Sequence, residues 1–348
     1  ALATEPDLLL LDEPAGGVNP EETVGLAELI RKLVDHGKTV CLIEHKMDMI
    51  MSLADKIIVL NHGEKIADVT THPAFKPIVD IRARIYDMAH EAALTSGRPL
   101  SSIFFGGGTP SLMPPATVEA LIRAAERHWG FSPQIEITLE ANPSSVEAAS
   151  FADLATAGVN RVSLGLQSLE DEALAFLGRA HSVAEALAAL DTAQSVFQRV
   201  NIDLIYARPG QSAAQWQAEL ARAIGFGTSH MSLYQLTIEP GTRFATLVRE
   251  GEFIPADDDD AASLYELTQQ MTAAAAIPAY EISNHARRGD ESRHNLAYWR
   301  YHDYVGIGPG AHGRRLRKAT IRHKKPENYL SAIDRNDHGI AQEDHLDE

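Results

Sequence analysis

Apolar and polar positions follow one another along this chain in two different rhythms. Up to about residue 70, short apolar runs bracket a helical pattern, with strands expected at 8–11, 40–43 and 57–60, a helix at 20–35, and a turn at Asn61-His62-Gly63. Four leucines leading into Asp12-Glu13-Pro14 read as a buried parallel strand ending in two carboxylates. Residues 69–76 contain Pro73 and little periodicity, Pro77 follows, and a junction is placed over 71–86. From about residue 80 a strand-then-helix unit repeats. Strands are expected at 103–105, 135–140, 161–166, 202–206, 231–236 and 280–283, with helices at 115–128, 146–155, 172–177, 183–196, 213–224 and 257–275. That alternation predicts an α/β architecture of parallel strands and crossover helices. Six strands are too few for a closed eight-stranded barrel and favour a partial (β/α) barrel. The run Asp257 to Asp260 suits a helix N-terminus. Beyond Ala319 the chain is polar, with one amphipathic stretch at 329–333.

Composition narrows the classes. The 348 residues are 45% hydrophobic and 23% charged, which fits folded domains and excludes wholesale disorder or a fibre. Lysine plus arginine number 31 against 48 aspartates and glutamates, a net charge of −17 that argues against nucleic acid or anionic lipid as the main partner. No apolar run approaches the roughly 20 residues of a membrane span, and residues 1–12 lack a basic leader, so a cytoplasmic location is expected. The single cysteine, Cys41, excludes an internal disulfide, a four-thiolate zinc site and a three-thiolate iron–sulfur site built from this chain alone. Within Thr39-Val40-Cys41-Leu42-Ile43 it reads as a small buried hydrophobe.

Two stretches carry chemistry. Leu8-Leu9-Leu10-Leu11-Asp12-Glu13-Pro14, Ala15-Gly16-Gly17-Val18-Asn19-Pro20 and Cys41-Leu42-Ile43-Glu44-His45 together resemble the second half of an ABC-transporter ATPase domain of the branched-chain amino-acid importer type. The resemblance implies Asp12 as a magnesium carboxylate, Glu13 as the catalytic base for water, residues 16–19 as the D-loop and His45 as the switch histidine. The phosphate-cradling loop G-x4-G-K-[ST] is absent, because Gly37-Lys38-Thr39 has Lys32 where its first glycine belongs. This piece is not expected to hydrolyse ATP unaided.

The second stretch begins at Ile103-Phe104-Phe105-Gly106-Gly107-Gly108-Thr109-Pro110-Ser111, a strand running into three glycines that let backbone approach a ligand closely. With Glu140-Ala141-Asn142-Pro143, the run from Gly158 through Arg161 and Gln167 to Ser168, Leu177-Gly178-Arg179-Ala180-His181 and Asn201-Ile202-Asp203-Leu204-Ile205-Tyr206, it resembles the radical S-adenosylmethionine enzymes. The branch is the oxygen-independent coproporphyrinogen III oxidase-like one, closest to HemW-type heme chaperones, over about residues 87–333. The resemblance implies S-adenosylmethionine contacts from Gly107, Gly108, Thr109, Glu140, Gln167, Arg179 and Asp203. His294-Asn295-Leu296-Ala297-Tyr298-Trp299 is similar to the branch's HNxxYW heme motif, which implies His294 as an axial iron ligand with Tyr298 and Trp299 as flat apolar partners. Residues 304–313 match a further stretch of the same branch.

The resemblance departs at one place. Radical S-adenosylmethionine enzymes hold a [4Fe–4S] cluster on a CxxxCxxC loop after the first barrel strand, and neither loop nor strand is found here. Without thiolates no cluster is held, and no radical is expected. The sequence thus predicts an ATPase-like fragment at 1–70, the junction at 71–86, a partial barrel missing its first strand at 87–318 and a shortened C-terminal segment at 319–348, as though two truncated genes were joined. The implied activity is that of a heme chaperone that passes heme to an acceptor protein. Two alternatives stay open: a transport ATPase fragment with a passenger barrel, and a non-catalytic heme or S-adenosylmethionine binding module. Oligomeric state is left open as well.

Overall fold

A computed structural model describes residues 8–12, 14, 20–43, 53, 56–61, 64–70 and 76–346. Near the start, β1 (Leu8–Asp12) pairs in parallel with β2 (Thr39–Ile43), and the helix α1 (Pro20–Asp35) connects them. Leu11, Leu26, Ala27, Val40 and Leu42 pack around the buried Ile30. The period-two pleat sends Leu8, Leu10, Cys41 and Ile43 to the other face, where they are exposed. The expectation of a buried Cys41 is thereby corrected: it faces away from α1. β3 (Lys56–Asn61) and β4 (Glu64–Thr70) form an antiparallel hairpin in which Asn61 pairs with Glu64.

The main body is a six-stranded open sheet in the order β10-β9-β8-β7-β6-β5, formed by β5 (Leu100–Phe105), β6 (Phe131–Ala141), β7 (Arg161–Gln167), β8 (Arg199–Tyr206), β9 (His230–Gln235) and β10 (Asn284–Ala286). β5 to β9 are parallel, and β5 lies at one edge, as expected of a barrel lacking its first strand. The final strand is a correction. Instead of continuing the parallel order over 280–283, the chain bridges Ala279 to His285, and β10 pairs antiparallel to β9. Tyr280 leaves the ladder so that its hydroxyl meets His230.

Crossover helices are set by their caps. Ser182 with Glu185 and Ser212 with Gln215 form reciprocal capping boxes that start α7 (Val183–Val196) and α8 (Ala213–Ile224). Asp257 caps α10 (Asp258–Ala274), whose first turn holds Asp258, Asp259 and Asp260, so the acidic run is a helix start. The other helices between these strands are α3 (Pro115–Trp129), α4 (Ser145–Ala148), α5 (Phe151–Thr156), α6 (Asp171–Phe176) and α9 (Arg243–Glu250). The single helix expected at 146–155 is two, because the Ser150 hydroxyl donates to the Glu147 carbonyl and competes with the helical pattern. Leu139, Val162, Leu164, Ile202, Leu204, Met231 and Leu233 point from the sheet into the helices and form the main core.

The residues expected as a junction carry a helix in their second half. α2 (Lys76–Thr95) places Pro77 in its first turn, where no amide is needed. Met88 and Ala92 on α2 pack against Leu121, Ala124, Ala125 and Trp129 on α3. Toward the end, a short helix α11 (Arg293–Trp299) precedes a three-stranded antiparallel sheet of β11 (His312–Arg315), β12 (Lys318–Arg322) and β13 (Ile340–His345), with α12 (Pro326–Asn336) between the last two strands. The polar tail is therefore structured, and the sheet draws on residues from both sides of position 318.

Candidate functional site

Alternation fixes the site. The strand positions opposite the core are polar: Glu136, Thr138 and Glu140 on β6, Arg161, Ser163 and Gln167 on β7, Arg199, Asn201 and Asp203 on β8, and His230 and Ser232 on β9. The polar layers meet through side-chain hydrogen bonds. Asn201 Nδ2 donates to Ser163 Oγ at 2.7 Å and Asp203 Oδ1 at 2.6 Å, and Ser232 Oγ donates to Asn284 Oδ1 at 2.7 Å.

At the carboxyl end of β5 the chain enters Gly106-Gly107-Gly108. Gly107 and Gly108 are left-handed, with φ of +78° and +62°, and a Cβ at either would meet nothing within 4 Å. At Gly106 a Cβ would stand 2.7 Å from Phe104 Cε1 and 3.3 Å from Glu140 Oε2, so a side chain there displaces its neighbours. The Gly107 amide donates to Glu140 Oε2 at 3.1 Å. Burial raises the Glu140 pKa and this hydrogen bond opposes the shift. Thr109 leads into the short 3-10 turn Pro110–Leu112 without a side-chain cap bond. Gln167 ends β7 at φ +67°, with its amide folded back over Gly165. Open room over two left-handed glycines, bordered by the Glu140 carboxylate, fits a ligand that carries an amino group, as S-adenosylmethionine does.

Arg179 stands apart. It is exposed in the turn after α6, and among the described residues its side chain makes no hydrogen bond or ion pair. Asp203 lies deeper on β8, where burial pushes its carboxyl pKa up to about 6 against the opposing pull of the polar Ser232 and Asn201 side chains.

The histidine motif occupies α11. Glu136, fully buried, anchors its start: Arg199 Nη1 donates to Glu136 Oε2 at 2.7 Å, Ser292 Oγ and the His294 amide donate to Oε1, each at 3.3 Å, and the Arg293 amide donates to Oε2 at 3.2 Å. The His294 ring stacks on Phe104 with centroids 4.2 Å apart and meets Tyr298 edge to face at 4.8 Å. Burial lowers the His294 pKa to about 4, which keeps the imidazole neutral as an iron ligand requires. Trp299 is half exposed and Tyr298 partly so, leaving flat aromatic surface beside the histidine. These residues fit a porphyrin. His312 lies exposed at the start of β11.

An iron–sulfur cluster does not fit. The only cysteine is Cys41 on β2, and among the described residues no group of three or more His, Cys, Asp and Glu side chains is arranged to hold a metal ion. In the N-terminal segment, Asp12 ends β1 opposite Ile43, while Glu13, residues 16–19 and His45 lie outside the described residues.

Sequence reasoning missed Glu136, Asn201, His230 and Tyr280. The first three were signalled by polar residues recurring at every second strand position.

Known proteins share this fold and much of this sequence. The model of the radical SAM superfamily matches residues 70–223. The chain is 40% identical over 255 residues to the mouse mitochondrial radical S-adenosyl methionine domain-containing protein 1, a match covering 71% of this chain and 58% of that protein. It is likewise 40% identical over 247 residues to the heme chaperone HemW of Escherichia coli, covering 69% and 64%. The chain thus spans little more than half the length of these curated relatives. The coproporphyrinogen III oxidase HemN of Escherichia coli, a radical SAM enzyme, shares the fold with a TM-score of 0.66 at 21% identity, covering 80% of this chain and 67% of that one. Residues 70–223 thus match the radical SAM superfamily, and over about 70% of its length the chain is similar to HemW heme chaperones and to the mitochondrial radical S-adenosyl methionine domain-containing protein 1.

Proposed function

We propose that this chain binds heme at His294 and S-adenosylmethionine over Gly107, Gly108 and Thr109, as a heme chaperone-like protein without radical chemistry of its own. The observation that carries the reading is a neutral, partly buried imidazole held between Phe104 and Tyr298, at the start of a helix whose Tyr298 and Trp299 expose flat faces. Heme gains from burying its macrocycle and from one imidazole–iron bond, and neither needs a cluster. S-adenosylmethionine would be held by the glycine turn, Glu140, Gln167 and Asp203, with Arg179 reaching it only by a change in its loop. The heme is destined for an acceptor protein. Among the described residues no helix is long and apolar enough to cross a membrane.

The N-terminal segment, 1–70, reads best as the Walker B-to-switch portion of an ABC ATPase. The parallel pairing of Asp12 with Ile43 supports this, since it brings the last residue of β1 and the last residue of β2 to one end of the two-stranded sheet. The units 71–86, 87–318 and 319–348 follow as the junction, the partial barrel and the C-terminal segment.

Titration of the soluble chain with hemin tests the heme site. A Soret shift is expected that His294→Ala abolishes and His312→Ala leaves largely intact. An unchanged Soret band in the His294 variant would remove the heme assignment.

A further inference from the structure

His230 and Tyr280 take no part in the binding roles above, yet they stand between Asp203 and the helix that carries His294. His230 Nδ1 lies 2.6 Å from Asn201 Oδ1, and its Nε2 lies 2.8 Å from the Tyr280 hydroxyl. The Tyr280 oxygen accepts from the Ser292 amide at 3.4 Å and from Asn295 Nδ2 at 3.0 Å. Ser292 is the N-cap of α11, and Asn295 follows His294 directly.

One set of donor directions satisfies every partner in this relay. Because the Tyr280 oxygen already accepts two hydrogen bonds, its own hydrogen goes to His230 Nε2. Burial and the nearby Arg161 and Arg199 hold His230 neutral, so its one ring proton sits on Nδ1 and is donated to Asn201 Oδ1. That fixes the Asn201 amide group toward Asp203. All donors therefore point one way, from α11 through Tyr280, His230 and Asn201 to the carboxylate.

At the far end the chain is one hydrogen short. Asn201 Nδ2 faces three acceptors, Ser163 Oγ at 2.7 Å, Asp203 Oδ1 at 2.6 Å and Ser232 Oγ at 3.0 Å, with two hydrogens to give. A ligand hydroxyl that donates to Asp203 Oδ1 competes with Asn201 there, and the more of that bond it takes, the more the two amide hydrogens turn to the two serines. A ligand at Asp203 would thereby shift the balance among the three bonds of Asn201.

We infer that His230 and Tyr280 are positioning residues that couple a ligand held at Asp203 to the pose of His294, so that S-adenosylmethionine and heme alter each other's affinity. The inference rests on the binding roles proposed above for Asp203 and His294. Tyr280→Phe keeps the ring and removes only the hydroxyl that joins His230 to Ser292 and Asn295.

Hemin affinity is read from Soret titrations of the full chain, with and without saturating S-adenosylmethionine, in the parent, Tyr280→Phe and His294→Ala. In the parent, S-adenosylmethionine is expected to change the hemin dissociation constant by about fivefold or more, and in Tyr280→Phe that ratio falls to about one while both ligands still bind. A ratio of one in the parent, or the parent's ratio in Tyr280→Phe, overturns the coupling. A His294→Ala chain that binds hemin like the parent faults the heme reading itself, and the coupling with it. Should Tyr280→Phe lose its circular dichroism spectrum, the parent decides: nitrogen-15 histidine spectra are expected to show His230 as the neutral Nδ1–H tautomer, and an Nε2–H or doubly protonated ring overturns the inference.

Discussion

Asp203 shows what a single buried carboxylate does to this fold. Burial pushes its pKa up to about 6 from an ordinary value of 3.8, so the folded chain holds its proton more tightly than the unfolded chain does. Its contribution to stability is therefore fully present below about pH 4 and is lost as the pH rises through about 6. Asp203→Asn cannot titrate. The urea-unfolding free energy of the parent relative to that variant is expected to fall by on the order of 2–3 kcal/mol between pH 4 and pH 7. A difference that stays flat across that range would show a carboxyl of ordinary pKa. The positions of Asp203, Gly107, Gly108 and Glu140 on or beside neighbouring strands of one sheet were legible through their motifs, because parallel strands bring such residues to one face whatever lies between them. Arg179 was not brought in, since a turn after a short helix fixes no direction for a long side chain. His230 and Tyr280 escaped notice because their importance lies in partners 29 and 50 residues away.

Among the elements, α11 is held in place from below. A seven-residue helix is too short to be stable alone, and none of its residues is buried. Its first turn hangs on Glu136, which accepts from the amides of Arg293 and His294 and from the side chains of Ser292 and Arg199. Glu136→Ala leaves those donors facing a gap, and Arg199 keeps only the Asp290 and Glu291 carbonyls, the Asp290 carboxylate at 3.8 Å and partial contact with water. A loss of about 3 kcal/mol is expected, the lower end for breaking a buried ion pair. Denaturant unfolding checks it, and a variant within about 1 kcal/mol of the parent would show that other contacts hold α11. The sequence predicted the parallel strands β5 to β9 well, because each apolar-rich stretch is followed by a helical pattern of its own. It misplaced the last strand because Tyr280 and Ile282 look like core residues by type. In the fold, Tyr280 turns to His230, and Ile282 is exposed.

At the scale of the whole molecule, α2 ties the chain together. Arg322 donates to Asp87 and Glu91, and Arg315 donates to Glu91, so two guanidiniums from the C-terminal sheet neutralise two buried carboxylates on one helix. The Tyr329 hydroxyl and the Gly339 amide also donate to Asp87. These contacts join residues more than 220 positions apart, which no local pattern reveals. That is why the first part of α2 reads as a junction in sequence and the polar residues 319–348 read as a shortened C-terminal segment.

The same scale governs iron–sulfur chemistry, since a cluster depends on how many thiolates the whole chain offers. A [4Fe–4S] cluster of the radical type needs three cysteine ligands in one loop. This chain offers Cys41 alone, on a strand face of the N-terminal sheet and not on the six-stranded sheet that carries Gly107, Glu140 and Asp203. One exposed thiolate can join a cluster only by sharing it with other chains, which holds the stoichiometry well below one cluster per chain. Anaerobic reconstitution of the chain with iron and sulfide is therefore expected to give no [4Fe–4S] absorbance and no reductive cleavage of S-adenosylmethionine, while hemin binding at His294 persists. A cluster signal near one equivalent per chain would mean that ligands other than thiolates hold it, and would return radical chemistry to the barrel.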